Sequence, residues 1–223
     1  MPTAWRSPRR CGAGPAASVS GGQAHWDEVY RTRSTQAVSW YRPHLEVSLA
    51  LLRQAGLDHA SRLIDVGGGA STLVDDLLAL GLADITVLDL SQAALAAARE
   101  RLGERAARVH WLAADLLQAD FAPAGFDLWH DRAVLHFLAS PGDAVRYATQ
   151  AARAVRAGGH AVIGGFAPDG PERCSGLPVA RRSASDIAAV LAPAFRLIEE
   201  RTERHVTPAG MTQAFTYALL ERT

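Results

Sequence analysis

The stretch Arg62-Leu-Ile-Asp-Val-Gly-Gly-Gly-Ala-Ser71, running on through Thr72-Leu-Val-Asp-Asp-Leu-Leu-Ala-Leu80 to Gly81 and then Ile85-Thr-Val-Leu-Asp89, decides the fold. A short apolar run, broken by three glycines and followed by helix-period leucines that stop at a glycine, reads as strand, tight turn and helix over Ala70 to Leu80. The next strand, Ile85 to Leu88, ends on an acid. A helix from Gln92 to Leu102 follows, with Ser91 as its natural cap.

Working outward, Val109 to Leu112 and Phe126 to Trp129 read as further strands, and Arg132 to Phe137 and Asp143 to Val155 as helix. Ala157-Gly-Gly159 turns the chain into a fifth strand, His160 to Phe166. Strands separated by helices of this length demand parallel crossovers, which predicts an α/β doubly wound sheet. Phe195 to Glu200 and Ala214 to Leu220 are joined by Thr207-Pro-Ala-Gly210, too short for a crossover helix, and are expected as an antiparallel pair at the sheet edge. Upstream, two segments read as added helices. One runs from Gln23 with Trp26, Tyr30, Trp40 and Tyr41, and the other runs from Pro43 to Ala55 with Leu45, Leu49 and Leu52 on one face. Three regions result: a flexible tail at 1–22, a helical cap at 23–60 and a core at 61–223. The tail is rich in Pro, Gly and small polar residues, a composition that cannot repay its ordering entropy.

Apolar residues are 48% of the 223 and charged residues 21%, the balance of a globular chain with a substantial core. Lys and Arg number 23, matched by 23 acids. No whole-molecule field would therefore gather nucleic acid or anionic lipid. Cys11 and Cys174 lack the spacing of a metal knuckle, so no metal is expected. No run approaches the roughly 20 apolar residues of a membrane span, and a cytoplasmic protein is expected.

Glycines at a strand end let a ligand approach the backbone, and the following helix offers unpaired N–H groups. Asp89 lies at the end of the second strand, where a carboxylate can accept from both hydroxyls of a ribose. The combination points to a nucleoside cofactor. A nicotinamide fingerprint is interrupted by Thr72 where a third glycine belongs, and no Lys follows the glycines as a phosphate loop requires.

Asp65-Val-Gly-Gly-Gly-Ala-Ser71, Asp89 in Val-Leu-Asp-Leu-Ser91 and Asp115 in Ala113-Ala-Asp-Leu116 resemble the class I S-adenosylmethionine-dependent methyltransferases. The similarity is closest to small bacterial members with a Trp-Asp-x-Val-Tyr segment, here Trp26 to Tyr30, and it extends from Trp26 to Arg222. It implies a seven-stranded sheet whose last strand is antiparallel, with S-adenosylmethionine as cofactor. Asp65, Gly67, Gly68 and Gly69 would line its methionine part, Asp89 and Leu90 its ribose, and Ala114, Asp115 and Leu116 its adenine. The loop from Trp129 to Arg132, including His130, would face the sulfonium. Ser71 stands where the family has its third glycine. Taken singly, Asp65 could instead cap the next helix and Asp115 the short segment starting at Leu116.

Methyl transfer asks the protein to align a nucleophile and exclude water more than to move protons. His130, Asp131, Arg132 and His136 form the most crowded polar group in the core sequence and are the catalytic candidates. If the helix starts at Arg132, then Arg132 and His136 share a face. A packing role for His136 and an Asp131–Arg132 pair are the competing readings. Tyr30, Trp40, Tyr41, Arg132 and Cys174 are the candidate substrate contacts, Cys174 lying on a proline-rich rim after the fifth strand. The resemblance favours a small-molecule acceptor, for instance a thiol or another soft nucleophile, in a monomer or homodimer. A protein-lysine methyltransferase and a non-catalytic binding or scaffold protein are the alternatives.

Overall fold

Leu63 and Ile64 are adjacent and fully buried, yet they join different apolar clusters. Opposite burial of neighbours means that the strand is covered on both faces, as in a parallel sheet sandwiched by helices. The computed structural model describes residues 21–223, so the expected tail lies, but for Gly21 and Gly22, outside the described residues. Its elements are α1 (Gly22–Thr32), α2 (Glu46–Gln54), β1 (Arg62–Val66), α3 (Leu73–Ala79), β2 (Asp84–Asp89) and α4 (Gln92–Leu102). There follow β3 (Val109–Ala113), β4 (Phe126–Arg132), α5 (Pro141–Ala154) and β5 (Val155–Phe166). The short hairpin β6 (Arg173–Cys174) and β7 (Leu177–Pro178) leads to α6 (Ala184–Leu191), β8 (Phe195–Val206) and β9 (Thr212–Arg222).

The sheet has seven strands in the order β3-β2-β1-β4-β5-β9-β8. The first five pair in parallel, and β9 runs antiparallel to β5 and β8. This is the expected doubly wound architecture with its antiparallel last strand. Leu63, Val87, Leu128 and Val162 pack with Leu49 and Leu52 of α2, Leu77 of α3 and Leu95 of α4. Their neighbours Ile64, Leu88, Trp129 and Ile163 pack with Tyr147 and Ala151 of α5 and Ile187 and Leu191 of α6. The reversal of strand order between β1 and β4 opens a crevice at the carboxyl ends of the strands.

Several local expectations change. β4 continues through His130 and Asp131 to Arg132, so no helix begins there; a short 3-10 turn, Leu135–Phe137, replaces it. Arg132 and His136 therefore do not share a helix face. Ala133 makes the break with φ 81°, a left-handed conformation that a non-glycine residue adopts only at some cost. The segment from Val38 to Tyr41 is irregular, not helical, and α3 starts at Leu73, later than expected. α6 was absent from the expected elements, although its Ser183-x-x-Asp186 capping box is present in the sequence and formed in the structure. The fifth strand starts at Val155, not His160, so residues 157–159 lie within β5 and not in a turn before it, at an irregularity of the β4–β5 register between Phe126 and Leu128.

Candidate active site at the carboxyl ends of the strands

A cavity of about 640 Å³ opens at the ends of β1, β2, β3 and β4, within the range of cofactor and small-molecule sites. The turn after β1, whose Gly67 lines the cavity, depends on two glycines. At Gly67, φ is +67° and an added Cβ would overlap the Val134 side chain; at Gly69, φ is +24° and a Cβ would lie 2.5 Å from Asp89 Oδ2. Only a residue without a side chain lets the turn pass so close to the neighbouring strand ends.

Asp89 borders this cavity and is buried. Its Oδ1 accepts the Ser91 N–H at 2.7 Å. Burial pushes the carboxyl up to about 7, with the nearby Asp65 and Asp27 adding to the rise and the Ser91 and Gly69 N–H groups opposing it. Asp115, beyond β3, also borders the cavity while capping the turn that follows, accepting from Leu117 N at 2.9 Å and Gln118 Nε2 at 2.7 Å. Gly67, Leu90, Ala114 and Leu116 line the same space.

The other half of the cavity is walled by aromatics from distant segments: Trp26, Tyr30, Trp40, Phe137, Phe166 and Phe215. Trp26 meets Phe137 edge-on at 5.0 Å, and Phe166 meets Phe215 at 5.0 Å. Three polar side chains interrupt this wall. His136 is buried between Phe137 and Phe166 with neither ring nitrogen hydrogen-bonded. Burial, reinforced by Arg132 and Arg182, lowers its pKa to about 3, so the imidazole is neutral near pH 7 and a weak base. Cys174 is also buried, and its thiol is pushed up to about 12 by that burial. Arg132 is tied down: Nε donates to Tyr217 Oη at 2.9 Å, Nη1 to the Trp40 carbonyl at 2.9 Å, and the guanidinium lies 4.5 Å from the Phe215 ring. It anchors the Trp40 segment while bordering the cavity.

The structure thus gathers Tyr30, Trp40, Arg132, His136 and Cys174 around one space. Asp65, Gly68, His130 and Tyr41 are among the residues that line a smaller cleft of about 40 Å³, which shares Tyr30, Trp40, Gly67 and Arg132 with the large cavity. Asp131 and Gly69 line neither. Asp131 is wholly buried and accepts from Val134 N at 2.7 Å, Leu135 N at 3.0 Å and Tyr147 Oη at 2.7 Å. It holds the turn that carries His136. Reasoning from the sequence passed over Asp27, whose carboxylate accepts from Ser91 Oγ at 2.7 Å and Ala93 N at 3.2 Å, docking α1 on the start of α4. It also passed over Phe166, Phe215 and Ser48. Ser48 had a signal, a serine in the buried stripe of α2 beside Leu49, Leu51 and Leu52.

Residues 63–159 match the family described as Methyltransferase domain; the Trp26–Tyr30 segment lies outside that match. The chain is 28% identical over 111 residues to the eEF1A lysine and N-terminal methyltransferase of Bos taurus, covering 50% of this chain and 16% of that protein. The protein of the same name from Danio rerio is 26% identical over 141 residues, covering 62% and 20%. The chain therefore spans a fifth or less of these relatives. Among solved structures, Burkholderia thailandensis 1,6-didemethyltoxoflavin-N1-methyltransferase, with S-adenosylhomocysteine bound, superposes with a TM-score of 0.72 at 21% identity, over 96% of this chain and 93% of that one. The N-methyltransferase NodS of Bradyrhizobium japonicum, also with S-adenosylhomocysteine, gives 0.67 at 18%, over 88% and 97%. The glycine turn, the strand-end acids and the sheet order agree with these matches: the chain has the fold of the class I S-adenosylmethionine-dependent methyltransferases, and the stretch that matches the methyltransferase-domain family is residues 63–159.

Proposed function

We propose that this protein is a methyltransferase that uses S-adenosylmethionine to methylate an amine, in the first instance a lysine side chain or N-terminal amine of a protein. The residues fit the cofactor. Asp89 offers a cavity-facing carboxylate to the ribose, Asp115 to the adenine amino group, and Asp65 keeps a buried oxygen, Oδ2, without a partner at the methionine end. When bound, the cofactor supplies an electrophilic methyl group and a good leaving group.

The observation that carries the acceptor class is the neutral, unpartnered His136 in an aromatic wall beside the Arg132 guanidinium. An amine entering this wall loses solvent, which favours its uncharged, nucleophilic form, and the Arg132 guanidinium beside it is ion-paired to Glu203 at 3.8 Å. His136 can accept an amine N–H and aim the lone pair without taking the proton. The sequence relatives named for lysine and N-terminal methylation support this acceptor over the small soft nucleophile expected from the sequence. A small thiol remains a second reading, favoured by the same Arg132, which would stabilise a thiolate. Membrane and nucleic-acid substrates are set aside: charge is balanced, and among the described residues no helix is long and apolar enough to cross a membrane.

Transfer rates measured with lysine peptides, peptides bearing a free N-terminal amine, and a thiol panel test the proposal. Peptide amines should be preferred. His136→Gln should lower kcat tenfold or more with S-adenosylhomocysteine affinity unchanged. Preference for thiols would hand the site to the second reading, and an unaltered His136→Gln rate would remove His136 from it.

A further inference from the structure

The small cleft beside the main cavity contains a hydrogen-bond chain that the cofactor motifs do not require. Asp65 is the penultimate residue of β1, His130 lies opposite it on the adjacent β4, and Ser48 comes from α2 in the N-terminal cap. All three side chains are buried. Asp65 Oδ1 lies 2.7 Å from His130 Nδ1, and His130 Nε2 lies 2.9 Å from Ser48 Oγ. A carboxylate only accepts, so Nδ1–H of the imidazole donates to Asp65, and the opposite ring edge, Nε2, meets the Ser48 hydroxyl. Ser48 lines neither cavity, and the group its hydroxyl holds is the His130 ring.

The chain ends at one unsatisfied atom. Asp65 Oδ2 is buried without a partner, while Asp65 and His130 both line the cleft. A buried carboxylate oxygen left unpaired is costly, and a ligand cation would satisfy it. Arg42 borders the same cleft, and its buried Nε is also without a partner. The Arg42 charge is already met at Nη2 by Glu46 and Glu203, so the cleft offers a ligand's amino-acid head one free acceptor, Asp65 Oδ2, and one free donor, Arg42 Nε.

We infer that Ser48 and His130 are positioning residues that act through Asp65: they fix its carboxyl plane so that Oδ2 meets the α-ammonium of the cofactor's amino-acid head. This inference rests on the cofactor reading above. Without the His130 bond, the carboxyl is free to turn about its last torsion, and the ammonium loses an oriented acceptor. Without Ser48, the ring loses the contact that fixes its other edge, the same relation by which outer hydrogen bonds orient metal-ligating histidines. The cap helix α2 thereby takes part in cofactor binding without touching the cofactor.

Calorimetric titration with two ligands tests this. S-adenosylhomocysteine carries the amino-acid head, and 5′-methylthioadenosine has the same nucleoside without it. Ser48→Ala should weaken S-adenosylhomocysteine threefold to tenfold and His130→Gln more than tenfold. Both should leave 5′-methylthioadenosine within twofold of wild type, and Ser48→Thr, which keeps the hydroxyl, should restore most of the loss. A merely structural role would weaken both ligands together. Parallel losses, or unchanged S-adenosylhomocysteine binding in both variants, overturn the inference while leaving the cofactor reading intact. A wild-type protein that binds neither ligand overturns the cofactor reading, and this inference with it.

Discussion

The ends of β2 and β4 carry the same kind of residue in two different employments. Asp89 and Asp131 each lie in the carboxyl end of an apolar strand, each is buried, and burial raises each carboxyl, to about 7 and about 6. Around Asp131 the chain places three donors, two backbone N–H groups and the Tyr147 hydroxyl, which occupy both oxygens. Around Asp89 it places N–H groups from Ser91 and Gly69 and leaves the carboxyl on the cavity. A strand-end acid becomes a binding group when its accepting capacity is not already consumed. The donors that decide this come from the following turn.

Asp131→Ala is the most damaging way to test that distinction. It strands two buried N–H groups and a tyrosine hydroxyl, and should cost about 3 kcal/mol of stability in denaturant unfolding. The residual folded protein should bind S-adenosylhomocysteine within severalfold of wild type. Normal stability with abolished binding would mean that the two acids do the same work.

Asp89→Ala should show the converse. Loss of a charge-assisted pair of bonds to ribose should weaken S-adenosylhomocysteine by about 2 kcal/mol, roughly thirtyfold, as read by calorimetry. Wild-type affinity would remove Asp89 from the site.

The same carboxyl gives a pH signature. Its folded pKa, about 7, lies above the ordinary carboxylate value, so the folded apoprotein holds a proton that the unfolded chain has released. Its contribution to stability is complete below about pH 4 and lost as pH rises through about 7. Asp89→Asn keeps the size and removes the titration. The variant should therefore overtake wild type in apoprotein stability by on the order of 1 kcal/mol at pH 8, with the gap closing toward pH 4. Thermal unfolding across that range would detect it, and a pH-independent gap would show that Asp89 is not the titrating group.

The contrast also explains what the sequence made legible. α4 begins and ends where its Ser91 cap and helix-period leucines place it, because capping and periodicity are local. The glycine turn and the acids after β1, β2 and β3 were legible for the same reason. The exit of β4 was not: Ala133 takes a left-handed conformation without the glycine that usually marks one, so the strand was ended early and a helix assigned in its place. The aromatic wall was half legible. Tyr30 and Trp40 stood out near one end of the chain, but Phe137, Phe166 and Phe215 meet only through sheet pairing, as Phe166 faces Phe215 across β5 and β9. Ser48 reaches His130 across 82 positions, a separation at which no periodic pattern speaks.

Asp115 is intermediate between the two acids, and its neutral variant gives the smallest effect. It caps the turn after β3 through Leu117 N and Gln118 Nε2, as Asp131 caps the turn after β4, yet it borders the cavity as Asp89 does. It is also only half-buried, so solvent screens its charge more than that of the other two. Asp115→Asn keeps an oxygen for Leu117 N–H and for the adenine amino group and gives up the negative charge. The expected loss in S-adenosylhomocysteine affinity is about 0.5–1 kcal/mol, twofold to fivefold, with stability nearly unchanged. A thirtyfold loss would place Asp115 with Asp89 as a principal anchor. A loss of stability without any change in affinity would place it with Asp131, as a cap that happens to stand beside the site.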